Sequence, residues 1–248
     1  MDSRSFLTRK LLHFSAAVIT ISSYCLLATT AHSAPVKVRW HKLHQSKPGL
    51  YDIAVSYPEF RGSSPLARAA SAAFKLEALK DLGEFRKAAA DDAHEFGKLR
   101  SEYGVDRTTQ LGVVSDTVIS GYLVNYDYSG GAHPNTIYVP ITYGLVDGKP
   151  ARLSVRQIAS PSISPAEVLA KAVIPKINAI KKQNEGDPIG SIDMKYANRF
   201  IVTKSGITWV FSPYDIGAYA EGPFIIDVPW SDLRGLLRTA GPLAAYSK

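Results

Sequence analysis

Three observations predict an α+β fold in which antiparallel sheet is packed by one long and two shorter helices. Segments rich in Val, Ile, Thr and Tyr, each of strand length, recur between Pro-Gly, Gly-Gly and Asp-Gly turn signals. One alanine-rich stretch repeats apolar residues at three- and four-residue steps, the period of a helix with a single buried face. The chain has one cysteine, Cys25, so no disulfide framework can support it and apolar burial must do so.

Val36 to His44 and Leu50 to Tyr57 predict a hairpin around Ser46-Lys47-Pro48-Gly49. Ser64-Pro65 then supplies a helix cap and a proline at the first helical position. Leu66, Ala70, Phe74, Ala78, Leu82, Phe85, Ala89, Phe96 and Leu99 form the apolar stripe of one long helix, with Gly83 or Gly97 bending or ending it. Arg107 to Asn125, interrupted near Ser115-Asp116, and Thr136 to Leu145 read as antiparallel strands. Asp147-Gly148 turns the last of these back into Lys149 to Leu153. Ser164-Pro165-Ala166-Glu167 starts a second helix, with Ser164 capping and Glu167 reaching back to the free amide, and Pro175 kinks it. Arg199 to Thr203 and Gly206 to Phe211 form a hairpin around Lys204-Ser205, and Phe224 to Val228 is a final strand. Ser231 opens a short terminal helix that turns Leu233, Leu236 and Leu237 inward before Gly241-Pro242 stops it.

The amino end has Arg4, Arg9 and Lys10, an apolar stretch from Leu11 to about Thr30, then small residues at Ala31, Ser33 and Ala34, the layout of a secretory signal cleaved after Ser33. An uncleaved anchor is the competing reading, diluted by His13 and several Ser and Thr. Residues 1–33 are thus the expected signal peptide and 34–248 the exported body, of halves 34–125 and 126–248 in one compact whole, periplasmic or secreted, with no membrane contact once the leader is removed. Losing that leader reduces the formal charge from +7 to about +5. The remaining basic residues are scattered among acids without an aromatic-interleaved run, which argues against a nucleic-acid partner.

The most informative stretch is Tyr126-Asp127-Tyr128-Ser129-Gly130-Gly131-Ala132-His133-Pro134-Asn135, a defined loop between two strands. His133 can exchange a proton near neutral pH, and Gly130-Gly131 lets a ligand approach the backbone. The plainer reading has His133 hydrogen-bonded within its own loop. A carboxylate pair from Asp215 and Glu221, with Asp127 nearby and His133 assisting, is the arrangement a polysaccharide hydrolase would need, against the plainer reading of solvated or capping acids. Tyr126, Tyr128, Tyr138, Tyr143, Tyr214 and Tyr219 offer apolar area with a polar tip for sugar or protein contact, while Trp209 belongs to the core. His41, His44 and His94 do not converge, and neither metal nor cofactor is expected: the sequence has no His-Glu-x-x-His, Gly-x-Ser-x-Gly, phosphate loop or dinucleotide fingerprint.

That loop, taken with Phe200 to Thr203, Gly206-Ile207-Thr208-Trp209-Val210-Phe211, Tyr214-Asp215-Ile216 and Ala220-Glu221-Gly222-Pro223, resembles the DUF3298 family, and the earlier half resembles the companion domain that commonly precedes it. The family includes the extracytoplasmic region of a lysozyme-sensing anti-sigma factor, a domain attached to some peptidoglycan deacetylases and a secreted mycobacterial immunogenic protein. The resemblance implies an α+β architecture. In the deacetylase members the chemistry resides in a separate metal-dependent domain, and no such domain is expected after the terminal helix here. The expectation is a non-catalytic envelope or secreted binding protein that contacts a glycan such as peptidoglycan, or a wall-degrading enzyme such as lysozyme. It would do so through Tyr126, Tyr128, Gly130, Gly131, His133, Asn135, Tyr214, Tyr219 and Glu221. A hydrolase and a structural or assembly module are the alternatives.

Overall fold

The computed structural model describes residues 36–246, so the expected leader, its cleavage point and Cys25 lie outside the described residues. The fold is α+β. Strands β1 (Lys37–Lys47), β2 (Tyr51–Arg61), β3 (Tyr103–Val114), β4 (Val118–Tyr128), β5 (Asn135–Val146) and β6 (Lys149–Arg152) lie side by side in that order in one sheet. All neighbours are antiparallel except β2 and β3, which run parallel because two helices carry the chain across between them. The second sheet is an antiparallel meander of β7 (Phe200–Val202), β8 (Gly206–Phe211) and β9 (Phe224–Pro229).

The predicted long helix is two helices, α1 (Pro65–Leu79) and α2 (Leu82–Phe96). Ser64 caps α1 as expected, its Oγ accepting the Ala67 amide at 3.1 Å. The break falls at Lys80-Asp81 and not at Gly83, because the buried guanidinium of Arg107 donates to the carbonyls of Ala78 (3.2 Å) and Lys80 (2.6 Å) and so terminates α1. Asp81 then turns the corner in the left-handed region, at φ +55°, and Gly97 ends α2 at φ +76°. Leu66, Ala70, Phe74, Ala78 and Leu82 are buried as the stripe predicts, but Phe96 at its far end is 69% exposed.

Alternation along β4 separates two cores. Ile119 and Leu123 face α1 and pack with Phe74, Ile53 and Val105. Tyr122, on the other face, packs with Ile201 and Val210 of the small sheet. The opposite face of that small sheet, through Ile207, Trp209 and Phe211, meets the helical segment after residue 164 in the largest apolar cluster. That segment is α4 (Pro165–Val168), a π-helical turn at Leu169–Val173 and α5 (Ile174–Gln183), with the single turn α3 (Val155–Ile158) ahead of it. The wide turn directly precedes Pro175, which has no N–H to give and crowds the preceding coil. Ser164 caps as predicted, and the Glu167 carboxylate accepts from the Ser164 amide as expected while also pairing with Lys171 one turn on. The expected terminal helix is only a 3₁₀ turn, Trp230–Leu233, although Leu233, Leu236 and Leu237 are buried as foreseen.

The sheets are joined by side-chain hydroxyls. Ser120 of β4 donates to Thr142 of β5 (2.8 Å), Thr142 donates to the Phe200 carbonyl (2.8 Å), and the Val202 amide donates back to Ser120 (2.8 Å). This satisfies the edge of β7 that β8 leaves unpaired. Gly112 of β3 lies so close to that edge that a Cβ there would stand 2.2 Å from the Val202 carbonyl oxygen. Among the described residues no helix is long and apolar enough to cross a membrane.

Candidate functional site

Two irregular connections meet at one end of the molecule. The first joins β4 to β5 through residues 129–134, and the second joins β8 to β9 through residues 212–223. Ser212 docks the second onto the first strand system, accepting the Tyr138 amide at 3.0 Å and a donor from Arg199 at 3.0 Å. Its own amide donates to the Asp215 carboxylate at 2.6 Å, and Arg199 forms an ion pair with that carboxylate. Between these anchors Tyr214 is held at φ +70°, a left-handed conformation that costs any residue with a Cβ, and its ring is 63% exposed.

The join between the connections is aromatic. His133 stacks on Tyr219 with ring centroids 4.3 Å apart and planes 28° apart, and Tyr214 leans on the same Tyr219 ring at 5.4 Å. The Pro134 carbonyl accepts two bonds there, from the Tyr219 hydroxyl (3.0 Å) and from His133 Nδ1 (2.8 Å). His133 therefore does hydrogen-bond inside its own loop, the plainer of its two readings, and at the same time forms half of the contact with the other loop. Asn135 is exposed where β5 begins.

The glycine half of the loop faces elsewhere. Gly130, at φ +81°, lies against Tyr103, whose ring a Cβ would approach to 3.2 Å. The Tyr103 hydroxyl donates to Asp92, and that bond, with burial, pushes the phenol up to about 12. Tyr126 reaches over Gly104, and the Tyr128 hydroxyl lies 3.3 Å from Ser101 Oγ. Gly131 is exposed at the tip. Of the nine residues expected to bind ligand, His133, Tyr214 and Tyr219 thus make one surface. Tyr126, Tyr128 and Gly130 are turned to β3 and the segment before it.

Each of the three acids has a cationic partner of its own. Asp215 is engaged by Arg199 and the Ser212 amide. Glu221 accepts from the Ala218 amide at 2.7 Å and from Lys181, whose ammonium holds its carboxyl below the usual range. Asp127 lies on the helix-bearing face of β4, 3.6 Å from Arg107, and burial outweighs that attraction and pushes its carboxyl up. Sequence reasoning found the acids and missed their cationic partners, which stand 16 to 40 positions away with no local signal. His41 and His44, which the sequence does not bring together on a metal, bond across the first hairpin to Glu59 and Asp52, each at 2.8 Å. Among the described residues no three His, Cys, Asp or Glu side chains converge on a metal site.

Residues 45–136 match the family described as deacetylase PdaC, and residues 158–231 match the family described as protein of unknown function DUF3298. The first region includes the His133 loop and the second includes Tyr214, Tyr219 and Glu221, so both contribute to the aromatic contact. A crystal structure of a DUF3298 family member from Bacteroides fragilis is similar at TM-score 0.61 and 15% identity, over 86% of this chain and 97% of that one. Another, of a DUF3298 family protein from Pseudomonas aeruginosa, is similar at TM-score 0.51 and 15% identity, over 83% and 95% of the two chains. No curated protein matches. The chain carries a DUF3298 domain at residues 158–231 preceded by a PdaC deacetylase-like domain at residues 45–136.

Proposed function

We propose that the protein is a non-catalytic binding protein of the cell envelope that holds a glycan strand of the peptidoglycan type on the surface made by Tyr214, Tyr219 and His133. One observation carries the reading: an aromatic residue, Tyr214, is kept in a strained backbone conformation with its ring in solvent and supported from behind by a second ring. Strain of this kind persists only where the surrounding structure imposes it, and it concentrates at ligand contacts. A tyrosine ledge offers a flat apolar face to the C–H side of a sugar and hydroxyl edges to its oxygens. The exposed Asn135 and the Gly131 backbone add polar groups beside it.

An extracytoplasmic location is supported by the signal-like amino end and by the match of residues 45–136 to a deacetylase family whose resemblance already suggested an envelope protein. The engagement of Asp215, Glu221 and Asp127 by separate cations favours binding over hydrolysis. The test is retention of the purified protein on isolated peptidoglycan and, in parallel, on immobilised lysozyme, with Tyr214→Ala and His133→Ala variants. Retention on peptidoglycan that both variants lose is the expected result. Retention on lysozyme alone would replace the glycan with a protein partner, and retention on neither would remove the reading.

A further inference from the structure

The loop that carries His133 has a second side, and there the chain builds a groove of about 540 Å³ between the end of α2 and Gly130. Its size is that of a small-ligand site. Phe96, 69% exposed, gives it an apolar wall, and Tyr103 with Gly130 forms the floor. Its charged lining is Asp92, Lys98 and Arg100. Asp92 is occupied as the acceptor of the Tyr103 hydroxyl, and the neighbouring Glu102 is turned away to the Gly49 amide. Lys98 and Arg100 are exposed and, among the described residues, neither is engaged in an ion pair or hydrogen bond. The groove therefore presents two available cations and no available anion.

We infer that this groove receives carboxylates of an acidic glycan whose sugar rings lie on the Tyr214–Tyr219 ledge across the same loop. The inference rests on the glycan reading and sharpens it, because a neutral polysaccharide would leave both cations without a counter-charge. Electrostatic complementarity at exposed cations sets ligand choice and salt dependence more than total affinity.

The test measures binding of the purified protein to peptide-free peptidoglycan strands, in which every second sugar carries a carboxylate, and to the same strands after amidation of those carboxylates. The expected result is affinity about tenfold higher for the acidic strands at low salt, a preference that shrinks as salt is raised, as two exposed charge contacts would give. Lys98→Gln combined with Arg100→Gln brings that ratio to about one, with an unchanged thermal melt showing that the fold is intact. Tyr214→Ala weakens binding of both strands. Equal binding of the two strands by the unaltered protein would overturn the carboxylate groove and leave the glycan reading standing. Binding of neither strand would overturn both.

Discussion

Lys181 is 5% exposed, and its ammonium meets the carboxylate of Glu221 while lying 5.4 Å from the centre of the Phe224 ring. A buried cation of this kind tolerates its site only while the partner is charged. Glu221→Gln is therefore expected to destabilise the fold by leaving Lys181 without a counter-ion. The sign with pH follows from the depressed Glu221 carboxyl. Its contribution is complete above the ordinary carboxylate range and is lost as pH falls through the lowered value. Thermal unfolding from neutral pH downward should show the unaltered protein and the variant converging in acid. A constant offset persisting in acid would mean that the stability does not come from the charge on Glu221, and coincident curves that the pair contributes nothing.

Tyr214 separates stability from function. Its φ of +70° strains any residue with a Cβ, and glycine adopts that angle freely, so Tyr214→Gly should stabilise the chain by up to about 1 kcal/mol after the entropy of a flexible residue is deducted. The same change removes the exposed ring of the ledge. Chemical denaturation should show the midpoint rising or holding, while retention on peptidoglycan falls. A variant that both melts earlier and still binds would place the strain elsewhere and the ligand off this ring.

Much of the fold is legible in the sequence because its signals are local. Asp147-Gly148 takes the two positive φ angles, +50° and +74°, that a tight hairpin requires, and Ser64-Pro65 caps its helix. The division of the long helix is not local. It follows from Arg107, which lies 27 residues beyond Lys80 and reaches its carbonyl only after β3 is in place. The parallel pairing of β2 with β3 is hidden for the same reason, since no turn signal marks a crossover. At the site, the sequence identified both loops, and their meeting through His133 and Tyr219 joins positions 86 apart. What could not be read was which acids already had partners: Lys181 and Arg199 look like any other surface cations until the chain is folded.

Gly112 tests the approach of the two sheets. A Cβ at this position would stand 2.2 Å from the Val202 carbonyl oxygen, a backbone atom that cannot swing aside. Gly112→Ala should cost about 1–3 kcal/mol, toward the upper end because β7 must move away from β3 as a unit. Gly62→Ala, where nothing lies within 4 Å, is the matched control and should change stability little. Equal urea midpoints for the two variants would show that the sheets are not held at this separation.

The hydroxyl chain from Ser120 through Thr142 to β7 should behave as one unit. Ser120→Ala leaves the buried Val202 amide without an acceptor, and Thr142→Val leaves the Phe200 carbonyl without a donor, so each should cost about 1–3 kcal/mol. Because Ser120 also donates to Thr142, either change disturbs both ends of the chain. The double variant should then lose less than the two single losses added together, by about 0.5 kcal/mol or more. Loosening β7 also releases the strand that precedes β8 and the Tyr214 connection, so retention on peptidoglycan should fall in the double variant although neither residue touches the ledge. Strict additivity in urea denaturation would mean that the two hydroxyls act independently, and unchanged retention would mean that the ledge keeps its shape without the inter-sheet link.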